Sequence, residues 1–344
     1  MGYWRTFMSS IFPLKRLLII FILTYLVQSS VSAKSKNYDA IATLKKLEGT
    51  IKIINENSQK GTYGREGILL FNGNKIVTSK NSKTSILFRD GSRIRLFQNS
   101  KLILNFSEEK FINKRSFNYH LSLKEGSIRG RFGKGVQTAK ILTPTAIIRS
   151  KGTSFRISEK NNYSTISLTE GNLEVSNLSG KVTITSGQWL NKFGPYSNLS
   201  KFIAPITNIL SLKTKNFEID FQDGESKQVE LSIQIQNTVN EKTIKSTGYV
   251  IFESNYKKIN LPKRILLNER GFAKMLLKIH PPSLNDKEFI GMIKIRAYLD
   301  SDQHDDVGDG LLILKIKNFG KKRNILLHPD RGIIEKDHVF LYPR

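Results

Sequence analysis

The sequence of 344 residues contains no cysteine. This excludes disulfides, thiolate zinc sites, cysteine nucleophiles and a cysteine-linked lipid anchor. It also lacks the His-Glu-x-x-His pattern of zinc proteases and the Gly-x-Ser-x-Gly turn of serine hydrolases. The five histidines do not have the spacing of metal ligands. The remaining alternative is a catalytic triad of Ser, His and Asp residues that are far apart in sequence and meet only in the fold. These absences predict a protein that is not an enzyme.

Acidic residues are scarce beside basic ones, with 29 Asp and Glu against 55 Lys and Arg and a formal net charge of +26. Such a surplus attracts anionic partners. In a cytosolic protein such partners would include nucleic acid. If the protein is exported, the expected anionic partners are envelope polymers or lipid headgroups, and not nucleic acid. The alternative is that the lysines are solvated on strand edges, where they oppose aggregation.

The long apolar run of the sequence lies near the N-terminus, at residues 17–27. It follows Lys15 and Arg16 and precedes a Val-Ser-Ala sequence that ends at Ala33. A basic start, a short apolar stretch and a small-residue end are typical of a secretory signal. The run is roughly half of the ~20 residues that a membrane-spanning helix needs. We therefore expect a signal peptide at 1–33 and a periplasmic, outer-surface or secreted protein, with a retained anchor as the alternative.

Helical periodicity is nearly absent after the predicted signal. Residues 38–48 could form a short amphipathic helix or lead into the first strand. From Gly49 onward, short alternating runs are separated by Gly, Asn and Asp every eight to twelve positions or so, which is typical of all-β proteins. The alternation breaks at 191–210, which predicts a linker. The six or seven strands expected in 211–318 fit an immunoglobulin-like sandwich.

The densest acidic cluster lies in residues 300–310, where glycines favour tight turns. Several carboxylates in one loop could wrap Ca²⁺ through oxygen ligands, although the spacing differs from that of an EF-hand. The alternative is a solvated loop between two strands. The candidate metal ligands are Asp300, Asp302, Asp305, Asp306 and Asp309.

The densest basic cluster surrounds residues 129–151. It is the best candidate in the sequence for contact with an anionic partner, and solvated loop charge is the alternative. The candidate partner-binding residues are Arg129, Arg131, Lys134, Lys140, Arg149 and Lys151.

Residues 143–155 carry Pro144 and Gly152 around a basic, strand-like run. A phosphate loop would need a helix after the glycine and a Lys-Ser/Thr pair. Here Thr153, Phe155 and Ile157 alternate instead, as in a strand. We therefore predict a corner between two strands, with positive φ at Gly152.

Segment 143–155 is one of seven short motifs that occur in the order found in FecR domains. They lie at 49–53, 70–78, 90–96, 121–129, 143–155, 168–171 and 184–188. Residues 45–190 thus resemble a FecR domain, the extracytoplasmic sensor of bacterial iron-siderophore regulators. The resemblance implies a β-solenoid or roll and recognition of a protein, since the family's domain contacts the signalling domain of an outer-membrane transporter. Asn74 stands where the family has an acidic residue.

Such regulators carry a cytoplasmic anti-sigma region before their membrane helix, and about fifteen residues before the apolar run are too few for one. We therefore expect a free-standing exported FecR domain joined to a different C-terminal module. The expected parts are a signal peptide at 1–33, a lead-in at 34–48, the FecR-like domain at 49–190, a linker at 191–210, an Ig-like sandwich at 211–318 and a basic tail at 319–344.

The function expected from this organisation is non-enzymatic binding or scaffolding in the bacterial envelope, through recognition of a protein or an anionic envelope polymer. The alternative is a sensory subunit that signals to a sigma factor through a partner supplying the anti-sigma region. That alternative requires a retained membrane helix.

Overall fold

The structure, a computed structural model, describes residues 40–55, 61–111, 114–133, 136–150, 152–221, 224–282, 291–302, 304–317, 323–328 and 332–337. The regular secondary structure of the described residues consists of strands, apart from a 3₁₀ turn at Leu199–Phe202, which confirms the predicted all-β class. No helix among them is long and apolar enough to cross a membrane. The predicted signal peptide lies outside the described residues.

The first β region runs from residue 42 to residue 205. Its strands are β1 Ala42–Glu48, β2 Ile51–Ile54, β3 Thr62–Tyr63, β4 Leu69–Leu70, β5 Lys75–Thr78, β6 Lys83–Phe88, β7 Arg93–Leu96, β8 Lys101–Phe111, β9 Lys114–Arg131, β10 Val136–Leu142, β11 Ile147–Ser150, β12 Ser154–Lys160, β13 Tyr163–Glu170, β14 Asn172–Asn177, β15 Gly180–Thr185, β16 Gln188–Phe193 and β17 Ile203–Pro205.

These strands form two sheets that share the long strand β9. Sheet A has the order β4-β1-β6-β7-β9-β12-β13-β16-β17. Sheet B has the order β3-β2-β5-β8-β9-β10-β11-β14-β15. The pairs are antiparallel except for β9 with β10. Because residues 126–131 of β9 pair in sheet A and residues 114–125 pair in sheet B, the strand passes from one layer to the other.

The core of this region lies between sheets A and B. Every second residue of a strand faces inward, so Ile94 and Ile157 of sheet A and Leu121 and Ile148 of sheet B join one buried cluster. The stacked arrangement of the two sheets agrees with the β-roll implied by the sequence motifs.

The second β region forms a two-sheet sandwich with its own buried cluster, which fits the predicted immunoglobulin-like type. Sheet C has the order β23-β20-β18-β25, and sheet D has the order β19-β26-β24-β21-β22. The strands are β18 Asn208–Lys213, β19 Glu218–Asp220, β20 Lys227–Asn237, β21 Gly248–Ser254, β22 Ile265–Leu267, β23 Phe272–Ile279, β24 Met292–Leu299, β25 Val307–Gly308 and β26 Gly310–Lys317. In the predicted tail, β27 Arg323–His328 and β28 Gly332–Asp337 form a hairpin.

Two segments differ from the simplest interpretation of the sequence. Residues 42–48, left open between helix and strand, form β1 and pair with β4 and β6. Most of the predicted linker is also structured, since β16 and β17 pair within sheet A. Its alternation is broken by the turn at Gly194 and Pro195 and by Pro205, which ends an edge strand where a missing N–H is tolerated.

Two glycines mark corners of the first region. Gly152, with φ +62°, precedes β12 and confirms the predicted positive φ. Gly126, with φ +93°, lies where β9 passes from sheet B to sheet A. A Cβ atom at Gly126 would overlap both the side chain and the backbone of Ser100, whereas a Cβ atom at Gly152 would meet open space.

These surroundings predict unequal costs for the same substitution. We expect Gly126→Ala to lower the free energy of unfolding by about 2–4 kcal/mol, because left-handed strain adds to overlap with Ser100. The matched control Gly152→Ala carries the strain alone and should cost about 1 kcal/mol. Urea denaturation of both variants measures the difference, and equal costs would contradict the packing described for β9.

Candidate functional site

The outer face of sheet A carries three arginines at facing positions of neighbouring strands. Arg95 of β7 lies opposite Arg129 of β9, which lies opposite Arg156 of β12. Like charges that face each other across strands normally repel. Nevertheless, these side chains are only 6%, 12% and 4% exposed. The arginine row, as we call these three residues, must therefore be covered and neutralised by another part of the chain.

The cover is the acidic loop, residues 300–309, between β24 and β26 of the sandwich. Arg95 binds Asp300 in a bidentate manner, with Nε donating to Oδ1 at 2.5 Å and Nη2 donating to Oδ2 at 2.8 Å. Arg129 donates to the carboxylate of Asp309. Planar guanidinium groups match carboxylates in this geometry, so each of these two charges meets a counter-charge from the other β region.

The third arginine binds mainly to the backbone of the acidic loop. Arg156 donates to the carbonyl oxygen of His304 at 2.8 Å and to that of Leu299 at 2.9 Å. The Asp305 carboxylate lies 3.6 Å away. Arg156 thus fixes both ends of the first half of the loop against sheet A.

The most deeply buried carboxylate of the interface belongs to Asp300, whose side chain is 0% exposed. Lys83 reaches it from β6, since Nζ lies 3.4 Å from Oδ2 and donates to the Asp300 carbonyl oxygen at 2.9 Å. A buried charge is tolerated when it is paired and its oxygens are hydrogen-bonded. Asp300 meets both conditions through two cations of the first region.

Burial and neighbouring charges shift the pKa values of this interface. Burial by itself lowers the pKa of Arg129, but the Asp309 carboxylate reverses this and leaves the pKa raised. Burial lowers the pKa of Arg156, which Asp305 offsets only in part. Burial also raises the pKa of Tyr298 to about 12, and the Tyr298 ring lies 4.2 Å from the Arg129 guanidinium. The site is therefore shielded from water at its centre.

A second set of ion pairs surrounds the arginine row. Arg93 and Arg131 face each other across β7 and β9 and share Glu253 of β21, at 3.8 Å and 2.9 Å. Arg296 of β24 donates to Glu170 of β13 at 2.6 Å. These groups lie on the outer faces of sheets A and D, so the four sheets stack in the order B, A, D, C. We call the charged layer between sheets A and D the ionic layer.

The predicted calcium ligands are thus distributed over the ionic layer and its margin. Three of them face the arginine row, as described above. The remaining two accept hydrogen bonds from amides, Asp302 from Gln98 at 3.1 Å and Asp306 from Asn208 at 2.8 Å. Within the described ranges, no group of three or more His, Asp or Glu side chains could hold a metal ion. Four of these carboxylates accept hydrogen bonds from protein groups, whereas the buried Oδ1 of Asp305 has, in the described part of the chain, only the ion pair with Arg156. Calcium binding by the loop stays a prediction.

The predicted basic cluster is divided between two surfaces. Arg129 and Arg131 belong to the ionic layer, whereas Lys140 and Arg149 face each other on the outer side of sheet B. Lys134 and Lys151 lie outside the described residues. Sequence reasoning missed the remaining members of the ionic layer on sheet A. The signal for Arg95 and Arg156 is an arginine between two apolar neighbours of a strand, at 94–96 and 155–157, which Arg129 repeats at 128–130 with a glycine on one side.

The outer face of sheet B is the second charged surface, and it is open to solvent. Its outward-facing cations are Lys52, Lys75, Lys101, Lys124, Lys140, Arg149 and Lys181. Among the described side chains of this face, the carboxylates are Glu125 and Glu174, each already paired with a cation. A hydrogen bond from Lys181 is the main cause that lowers the pKa of Glu174. This face therefore keeps a surplus of exposed positive charge.

Removing one charge of a buried pair tests the ionic layer. We expect Asp300→Asn to lower the free energy of unfolding by about 3–5 kcal/mol, because Arg95 loses its buried bidentate counter-charge and is left with the longer ion pair to Glu48, at 3.5 Å. The control is Glu174→Gln, which breaks an exposed, solvent-screened pair and should cost far less. Chemical denaturation measures both, and a similar small cost for the two variants would show that Asp300 is not the buried anchor described here.

Comparison with known proteins gives one family. Residues 74–174 match the model of the family described as FecR protein, and this segment holds the whole arginine row. No curated protein matches the chain.

Two crystal structures of a candidate anti-sigma factor from Parabacteroides distasonis ATCC 8503, at 1.65 Å and 2.50 Å resolution, are also similar to part of the chain. Both are 14% identical to it, with TM-scores of 0.29 and 0.30. In each case the alignment covers 38% of this chain and 57% of the other. Likeness at this level carries no argument about fold or function. The family match falls within the segment that the ordered motifs indicated, and residues 74–174 are therefore similar to a FecR domain.

Proposed function

We propose that the protein is exported and acts as a non-enzymatic binding protein of the bacterial cell envelope. In this proposal the FecR domain recognises an acidic surface on a partner protein. The presence of a FecR domain supports a role related to signalling. The observation that carries the proposal is the exposed cationic outer face of sheet B, which remains available after the sandwich has covered the opposite face of the domain.

The geometry of sheet B favours recognition of an extended acidic surface. His120, Lys140, Arg149 and Glu174 occupy successive facing positions on β9, β10, β11 and β14. The sheet therefore holds Lys140 and Arg149 side by side at a fixed spacing, with the other outward-facing cations on the strands around them. Complementary charge of this kind accelerates encounter and fixes the orientation of a partner, and its effect falls with salt.

In this proposal the sandwich of sheets C and D acts as a scaffold. The ionic layer holds it on sheet A through buried pairs such as Arg95 with Asp300, so that the two regions act as one body. A partner that binds sheet B then also receives a defined position relative to sheets C and D. Such a fixed arrangement suits a protein that brings two other molecules together.

A second candidate function is a sensory subunit that acts through a membrane partner supplying an anti-sigma region. The FecR match favours it. It could use the same basic face, but it requires a retained N-terminal anchor. The N-terminus of the protein in cells and the identity of its partner therefore distinguish the two functions.

The proposal is tested by cross-linking the tagged protein in cells and identifying both the partner and the N-terminus by mass spectrometry. We expect a chain that begins at Lys34 and is attached to an envelope protein with an acidic surface. The variant Lys124→Glu with Lys140→Glu should lose this partner, because it reverses two charges on the sheet B face. The control Lys213→Glu with Lys278→Glu changes exposed lysines of the sandwich and should retain it.

Other outcomes are equally informative. An intact leader with an anti-sigma subunit attached would replace the first proposal by the second. If the protein is attached only to an anionic polymer, and the sheet B variant loses this attachment, sheet B is still the binding surface but its partner is a polymer and not a protein. A partner that still binds both the sheet B variant and the control variant would contradict the use of this face.

A further inference from the structure

A cavity of about 220 Å³ lies within the ionic layer, between sheets A and D. Its position is distinct from the outer face of sheet B, so it is not explained by the function proposed above. Its charged wall holds seven lysine and arginine residues and three carboxylates, among them Lys45, Lys46, Arg93, Arg131, Glu66 and Glu253. Cations therefore outnumber carboxylates around a space that is partly open to solvent.

The cations of the wall are not all neutralised by the protein. Lys45 and Lys46 form no ion pair with any residue that the structure describes. Arg93 and Arg131 share the single carboxylate of Glu253, and the Arg93 contact is long at 3.8 Å. The unpaired carboxylate of the wall is Glu66, so uncompensated positive charge remains around the space.

The backbone of β1 turns both lysines toward the cavity. In a regular strand, consecutive side chains point to opposite faces of the sheet. Here the pairing register of β1 with β6 shifts between Lys45 and Glu48, and Lys46 has φ +49°. A bulge of this kind re-aims a side chain, and left-handed backbone in a lysine costs free energy. The irregularity adds a second cation to a wall that already holds a surplus of them.

From these observations we propose that the cavity binds a small phosphate-bearing anion. Because Arg93 and Arg131 share one carboxylate, some of their N–H groups remain able to donate hydrogen bonds to phosphate oxygens. The ammonium groups of Lys45 and Lys46 add positive charge. The space is smaller than the roughly 300–1,000 Å³ of pockets for drug-sized ligands, so it suits a compact anion. Bound there, the anion bridges sheets A and D and supplies the negative charge that the wall lacks.

Calorimetric titration of the full-length protein with sodium pyrophosphate at low ionic strength tests the proposal. We expect one saturable site per chain. Lys45→Glu should weaken binding about tenfold or more, since it replaces an attraction by a repulsion. Glu66→Gln should tighten binding, because it removes the unpaired carboxylate of the wall. The control Lys278→Glu reverses an exposed charge on sheet C and should leave the affinity unchanged.

Two results would overturn the proposal. The first is the absence of saturable heat with the unaltered protein. The second is equal weakening by Lys45→Glu and Lys278→Glu, which would indicate attraction to the overall charge and not to this cavity. If Lys45→Glu does not fold, Arg93→Gln takes its place, since the Arg93 side chain is 61% exposed. With that variant, unchanged affinity is the overturning result.

Discussion

The structure depends on three arginine side chains that face one another on sheet A. Their mutual repulsion and their burial are both unfavourable, and the acidic loop of the sandwich offsets both through Asp300, Asp309 and backbone carbonyl oxygens. The one dense group of aspartates in a chain with net charge +26 therefore serves the interior of the molecule. The two β regions, each with its own apolar core, are joined by charge.

This arrangement assigns different roles to the two outer faces of the first β region. The face with the arginine row is covered by the sandwich, whereas the sheet B face, which holds Lys140 and Arg149, remains exposed. The positive charge of the sequence is thus divided between an internal contact and an external surface. The cavity near Lys45 and Arg93 is where the internal contact leaves charge uncompensated.

Local features of the fold could be predicted from the sequence, and long-range ones could not. Alternation predicted β23 with its observed bounds, Phe272–Ile279, and ordered motifs indicated the segment that the FecR family model matches. Of the arginine row only Arg129 was singled out, because its three members are far apart in sequence and meet only through the register of β7, β9 and β12. The acidic loop suggested calcium because the same carboxylates suit a metal ion or guanidinium groups, and only the fold supplies the partner.

The central claim is that the acidic loop and the arginine row stabilise each other, and a double-mutant cycle on Arg129 and Asp309 tests it most directly. The variants are Arg129→Met, Asp309→Leu and the double variant, compared by urea denaturation. The account predicts that each single variant is strongly destabilised and that the double variant recovers part of the loss, with a coupling of about 1–3 kcal/mol. Strictly additive effects would show that the two charges do not depend on each other.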